Sequence, residues 1–247
     1  MTSLVPGSVA VVLPAAGSGS RFGEQANKLF ASFAGHPLWT HAAERFLTRS
    51  EVGGVYLVVS RTDRERFESQ VTQLTRPDKI QLVIGGNQRS DSVAAAIAAI
   101  GDDTDTSIAW VAIHDAARPL VRDTDLNNVF ARAAQTKAAI LATPITGTIK
   151  HGNDQHASCR TIDRRNMWQA QTPQVFALDL IRQAYARHRG RPATDDAELV
   201  ERMGHAVALV PGSTDNLKIT YPEDLLIAEA LLHSRTGLIS ESTNPSP

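Results

Sequence analysis

The chain has 247 residues, 42% of them hydrophobic and 21% charged, and a net charge of −1. That size and composition suit a globular domain with a buried core and argue against a nucleic-acid coat or a polybasic membrane contact. The one cysteine, Cys159, rules out an intrachain disulfide, and no run approaches the ~18 apolar residues of a spanning helix, so a reducing, cytoplasmic setting is expected.

The first segment, SVAVVLP (8–14), has no Lys or Arg ahead of its short apolar run, which ends at Pro14. It reads as a buried strand and not as a signal peptide. LWTHAAERFLTR (38–49) has Leu38, Ala42 and Phe46 on one helical face. VYLVVS (55–60) is a strand and DRERFESQVTQL (63–74) a polar-faced helix. IQLVIGG (80–86) is a strand ending in glycines, followed by a Ser-capped helix, SDSVAAAIAAI (90–100). IAWVAIHD (108–115) is a strand, LNNVFARAAQT (126–136) a helix and AAILATP (138–144) a strand.

Apolar strands alternating with helices predict a mostly parallel sheet covered on both faces, a Rossmann-like three-layer α/β/α fold. The pattern then breaks. Residues 145–176 are polar, with short alternating pieces such as TIK, and are expected to form a hairpin-like excursion. Helices at 179–189 and 195–204, a strand at 206–210 and a helix at 222–234 complete a single domain over 1–235. The polar tail, 236–247, is expected to be disordered.

In such sheets ligands bind beyond the carboxyl ends of the strands. Three loops there hold chemistry-bearing residues. LPAAGSGSRFGEQANKLF (13–30) offers small residues whose backbone can approach an anion, with the cations Arg21 and Lys28. It is neither of the common nucleotide motifs. A dinucleotide turn needs a third glycine where Phe22 stands, and a P-loop needs a glycine at that same residue with a lysine after it. Phe22 therefore rejects a Rossmann oxidoreductase. GGNQRSDS (85–92) adds a Gly-Gly approach, amides and hydroxyls, and HDAARP (114–119) adds Asp115 and Arg118.

These loops, with TPITGTIK, TIDRRNMWQAQTPQ, ATDDAELVE and DNLKITYPEDL in the same order, resemble the 2-C-methyl-D-erythritol 4-phosphate cytidylyltransferases of the non-mevalonate isoprenoid pathway. The likeness runs from about residue 8 to about 232. It departs at Leu29, where the family more often has Gln, and in the longer tail.

The resemblance implies transfer of CMP from CTP to a sugar-alcohol phosphate, with Mg2+ held mainly through the CTP phosphates and Asp115 nearby. It implies that Arg21, Lys28, Arg164 and Lys218 carry the chemistry. Gly85, Gly86, Asn87 and Ser92 fall on the base-reading segment, and Ala15, Ala16, Gly17, Asp115 and Ala116 on the ribose and phosphate contacts, with Arg118 alongside. Thr148, Arg164, Thr172, Thr194, Lys218 and Asp115 would hold the acceptor. The excursion would reach a second subunit, making a homodimer with shared sites and no nucleic-acid or membrane partner. Ribitol 5-phosphate is the competing acceptor, and a non-catalytic nucleotide-binding module the reading from another class. His114 is read as positional and not as a base, because a phosphate nucleophile is already charged at neutral pH.

Overall fold

In a computed structural model, residues 4–17, 27–102, 107–153, 158–235 and 237 are described. Arg21 and almost all of the tail lie outside them.

Seven strands form the central sheet. They are β1 (Val9–Pro14), β4 (Val52–Val59), β5 (Ile80–Ile84), β6 (Trp110–Ile113), β7 (Ala138–Pro144), β10 (Trp168–Ala177) and β11 (Ala208–Pro211), in the order β11-β7-β10-β6-β1-β4-β5. β1 pairs parallel with β4 and β6, β4 with β5, and β7 with β11; only β10 runs antiparallel, between β6 and β7. The mostly parallel three-layer α/β fold predicted from the alternating pattern is therefore what forms.

Strand periodicity divides the core between the faces. Val9, Val11 and Leu13 point into one layer with Trp39, Phe46, Leu126 and Phe130 of helices α1 (Leu38–Leu47) and α4 (Asp123–Thr136). Ala10 and Val12 point into the other with Val93, Ile97 and Ile181, from α3 (Arg89–Asp102) and α5 (Leu178–Arg187). The remaining helices are α2 (Arg64–Val71), α6 (Asp196–Glu201) and α7 (Pro222–Arg235). A small hairpin, β2 (Ser32–Phe33) and β3 (His36–Pro37), turns through Ala34 and Gly35, both at positive φ.

One expected boundary moves. The excursion expected over 145–176 keeps a hairpin of β8 (Ile149–Gly152) and β9 (Cys159–Ile162), but Trp168–Ala177 is the long strand β10 in the middle of the sheet. Its polar residues disguise it. Gln171, Thr172 and Gln174 are all buried, and each has a hydrogen-bond partner. Pro173 lacks an N–H to donate and falls inside the irregularity between Ala170 and Gln174, where a proline is tolerated in a sheet.

Candidate active site

The carboxyl ends of β1, β5 and β6 open into a cavity of about 400 Å³. Its wall includes Pro14, Ala15, Ala16 and Gly17 after β1, Gly86, Asn87, Gln88, Arg89 and Ser92 after β5, and Asp115, Ala116 and Ala117 after β6. Lys28, Leu29, Lys218 and Thr220 close it. Three separate loops converge because a parallel sheet delivers all its carboxyl ends to one edge.

Asp115 is the centre of charge. Its carboxylate is 3.1 Å from Lys218 Nζ, 3.2 Å from Arg118 Nε and 3.9 Å from Arg89 Nε, with a side chain 12% exposed. Burial alone would push this acid's pKa up. The charges of Lys218, Arg89 and Arg118 outweigh it and hold the group well below the usual carboxylate range.

The shell behind Asp115 fixes its position. Its backbone N–H donates to Thr172 Oγ1 at 3.0 Å. The Thr172 hydroxyl lies 3.1 Å from His114 Nδ1, and His114 Nε2 lies 3.0 Å from the Arg118 carbonyl. A carbonyl can only accept, so Nε2 carries the proton and Nδ1 accepts from Thr172. The ring is fully buried, and burial pushes its pKa down to about 4. Both nitrogens of a neutral ring are thus committed, which leaves His114 a positional role.

Arg118 Nη1 donates to the Asn216 carbonyl at 2.6 Å, and Asn216 Nδ2 donates to the Thr172 carbonyl at 2.8 Å. The Ile219 N–H donates to the Ala117 carbonyl at 2.9 Å. These bonds lay residues 216–219 along the loop after β6 and bring Lys218 to Asp115. Lys28 is set from the other side. Asn27 caps a short 3-10 turn, Lys28–Phe30, and its amide reaches the Ala15 carbonyl at 3.4 Å. Lys28 Nζ donates to the Ile219 carbonyl at 2.6 Å.

Of the residues singled out in the sequence, Ala15, Ala16, Gly17, Lys28, Gly86, Asn87, Ser92, Asp115, Ala116 and Lys218 line the cavity together. Gly85 stands behind the wall: an added Cβ would lie 2.6 Å from Ser92 Oγ and 2.8 Å from Ala16 Cβ. Arg118 and Thr172 brace Asp115 from outside the cavity lining. Thr194 is exposed, bonding through its N–H and hydroxyl to the Glu198 carboxylate. Thr148 and Arg164 are exposed on or beside the β8–β9 hairpin, away from the lining.

Sequence patterning does not single out Arg89, which lines the cavity. Arg89 Nη2 donates to Asp196 Oδ2 at 2.7 Å, and Tyr185 OH donates to Asp196 Oδ1 at 2.5 Å. Asp196 is only 1% exposed and so anchors the guanidinium. A cation between a Gly-Gly turn and a helix start is the available signal. Leu29, the departure from the resembled pattern, is buried against the core.

A cation-ringed cavity, backbone-lined by small residues at the carboxyl edge of a parallel sheet, defines an α/β nucleotidyltransferase. The profile of the 2-C-methyl-D-erythritol 4-phosphate cytidylyltransferase family matches residues 9–234. A protein of that name from Rhodopirellula baltica is 55% identical over 92% of this chain and 95% of its own. Another, from Pelotomaculum thermopropionicum, is 39% identical over 95% and 98%. The crystal structure of the Thermus thermophilus protein of that name superposes with a TM-score of 0.70 at 33% identity, over 91% of this chain and 98% of that one. A crystal structure of a 4-diphosphocytidyl-2C-methyl-D-erythritol synthase gives 0.78 at 26%, over 94% and 99%. This chain belongs to the 2-C-methyl-D-erythritol 4-phosphate cytidylyltransferase family.

Proposed function

We infer that this chain transfers CMP from CTP to 2-C-methyl-D-erythritol 4-phosphate in isoprenoid precursor biosynthesis, giving 4-diphosphocytidyl-2-C-methyl-D-erythritol and pyrophosphate. The observation that carries the reading is the convergence of Lys28, Lys218 and Arg89 on one cavity around Asp115, in a chain of this family.

An oxygen of the acceptor phosphate attacks the α-phosphorus of CTP. The new P–O bond forms as the bond to the β-phosphate oxygen breaks, and pyrophosphate leaves. A phosphomonoester carries about 1.5–2 negative charges at pH 7, so no base is needed. The barrier is anion meeting anion, and catalysis is positioning plus charge. Lys28, with Arg21 from the same loop, takes the charge that builds on the α-phosphate and the leaving group. Lys218 receives the acceptor phosphate. Gly85, Gly86, Asn87 and Ser92 read cytosine, and Ala15, Ala16, Gly17, Ala116 and Arg118 set the ribose and triphosphate. Thr148, Arg164, Thr172 and Thr194 complete the acceptor site.

Among the described residues that line the cavity, Asp115 is the one carboxylate. That suits a Mg2+ that keeps phosphate oxygens and water as its other ligands. Bound there, the ion would neutralise charge on the CTP phosphates, and Asp115 would be the residue that holds it.

The catalytic unit is one domain over 1–235. The arm on β8 and β9 embraces a second copy, making a cytoplasmic homodimer with shared sites. The exposure of Thr148 and Arg164 away from the cavity supports this. The deciding experiment measures pyrophosphate release from CTP with methylerythritol phosphate and with ribitol 5-phosphate side by side. Selective release with the first is expected; equal or better release with the second overturns the acceptor assignment.

A further inference from the structure

Away from the catalytic cavity, the end of α5 carries a strongly basic stretch. Residues 182–191, RQAYARHRGR, hold Arg182, Arg187, Arg189 and Arg191 with His188 and no acid, in a chain whose net charge is −1. A smaller cavity of about 140 Å³ opens here. Arg187, His188, Arg191 and Arg202 line it over a floor of Ala184, Leu199 and Met203.

The helix end explains only part of this. Arg187 in the last turn of α5 is where a cation suits the helix dipole. Arg191 and Arg202 lie beyond that turn and crowd the same cavity. Arg202 is balanced, pairing with Glu198 at 2.6 Å. Among the described residues, neither Arg187 nor Arg191 has an acidic partner. His188 adds a second oddity: its Nδ1 is buried with no hydrogen-bond partner. Orphaned buried polar atoms of this kind are few in native proteins, and a site for an ion or a water is a standard cause.

We propose that this cavity is a second anion site, selective for the tetrahedral phosphate group of a small molecule. Two uncompensated guanidinium forks offer the planar pairs of donors that phosphate oxygens take bidentately. The cavity is small, about 140 Å³ against about 400 Å³ for the catalytic cavity, which suits a single phosphate group better than a whole nucleotide. The unpartnered ring nitrogen of His188 belongs to a residue of this same lining. The two cavities share no lining residue, so the site is separate from the proposed chemistry.

The test titrates the full chain with inorganic phosphate at constant ionic strength, chloride being the balancing anion. The readout is the arginine Nε–H and His188 ring signals in NMR, which separate this site from the catalytic cavity. Saturable shifts of Arg187, Arg191 and His188 are expected, with half-saturation at or below the low-millimolar range. R187Q/R191Q should raise that half-saturation by about tenfold or more, whereas R187K/R191K, which keeps the charges, should raise it less. Both pairs are exposed and should leave CTP turnover within about twofold of the parent. Glycerol 3-phosphate run in parallel distinguishes the sources: saturation by it as well points to a phosphate ester, saturation by phosphate alone to the free anion. Shifts that rise linearly without saturating, or that are unchanged in R187Q/R191Q, overturn the site. Displacement of phosphate by a short oligonucleotide at far lower concentration would make this a nucleic-acid surface and overturn the small-anion assignment.

Discussion

The Asp115 knot and the β8–β9 arm solve the placing of charge in opposite ways. Asp115 is held by Lys218, Arg118, Thr172 and His114, all supplied by its own chain, and its side chain is 12% exposed. On the arm, the Arg165 side chain is 86% exposed and, among the described residues, pairs only with Asp163 two residues before it, while Arg164 is exposed beside it. The knot is preorganised: its cations are placed before substrate arrives, which is where electrostatic catalysis gains most. The arm's functional candidates, Thr148 and Arg164, are exposed where the chain enters and leaves the β8–β9 hairpin, away from the cavity lining, a geometry that makes sense when another surface completes it.

The sharpest way to break the knot is to remove its centre. Asp115→Ala leaves three cations facing one another across a partly buried site. Loss of one partner from a buried pair costs ~3–5 kcal/mol, and the loss of positioning should depress kcat/KM by about 1,000-fold or more. Urea melts and steady-state kinetics on the same sample test both halves. A variant of near-parental stability and turnover would show that the knot is incidental.

The next largest effect bears on the arm. Lys28→Ala and Arg164→Ala should each lower turnover by about 100-fold or more at saturating CTP. If the arm serves a partner's site, mixing the two chains should restore activity. In a heterodimer one site collects both defects and the other neither, so recovery of up to about half of a parental dimer follows by symmetry. Heterodimers that demonstrably form and stay inactive would place the whole site within one chain.

The two regions are also unequally legible in the sequence. The sheet and its three loops stand out, because β-branched runs ending in Gly, Ala and Asp leave few alternatives. Ala15, Ala16, Gly17, Lys28, Gly86, Asn87, Ser92, Asp115 and Ala116 are accordingly legible as cavity-lining residues. β10 escapes because burial there is paid in hydrogen bonds: Gln174 bonds to Asp195 and to the Ala197 N–H, and Gln171 to the Ser213 carbonyl. No hydropathy pattern reports a polar side chain whose partner lies some 20 to 40 residues away in a different element. Arg89 escapes for the same reason, since its anchor Asp196 is supplied by α6.

A smaller effect concerns pH. His114 ionises with a pKa of about 4 in the folded chain, against an ordinary value of 6.5. Between those values the unfolded chain binds a proton that the folded chain refuses. Stability therefore falls as pH drops from about 6.5 towards 4, by about 3 kcal/mol at most from this group. His41, also depressed by burial, adds to the same slope. Thermal melts from pH 7.5 to 5 should show the decline, and His114→Asn should flatten it even if that variant is less stable throughout. An unchanged slope would mean that His114 ionises freely and that its assigned tautomer is wrong.

The mildest prediction asks whether the cavity wall is as rigid as its floor. Gly85 lies one residue outside the cavity, yet a Cβ there would sit 2.6 Å from Ser92 Oγ, 2.8 Å from Ala16 Cβ and 3.1 Å from Val58 Cγ1. Ser92 can rotate, although its hydroxyl currently donates to the Gln88 carbonyl at 3.2 Å. Ala16 has no rotamer to change, and Val58 is fully buried on β4 between β1 and β5. Gly85→Ala must therefore push the loop after β5 outwards, away from the loop after β1. Overpacking of this kind costs ~1–3 kcal/mol. The displaced segment is the one proposed to read cytosine, so the KM for CTP should rise several-fold while kcat, proposed to depend on Lys28 and Asp115, changes little. Discrimination of CTP from UTP should narrow in the same variant, because amide and hydroxyl groups moved off the base edge no longer penalise a missing partner. A variant with parental KM and parental CTP preference would show that the base is read elsewhere and that Gly85 only packs.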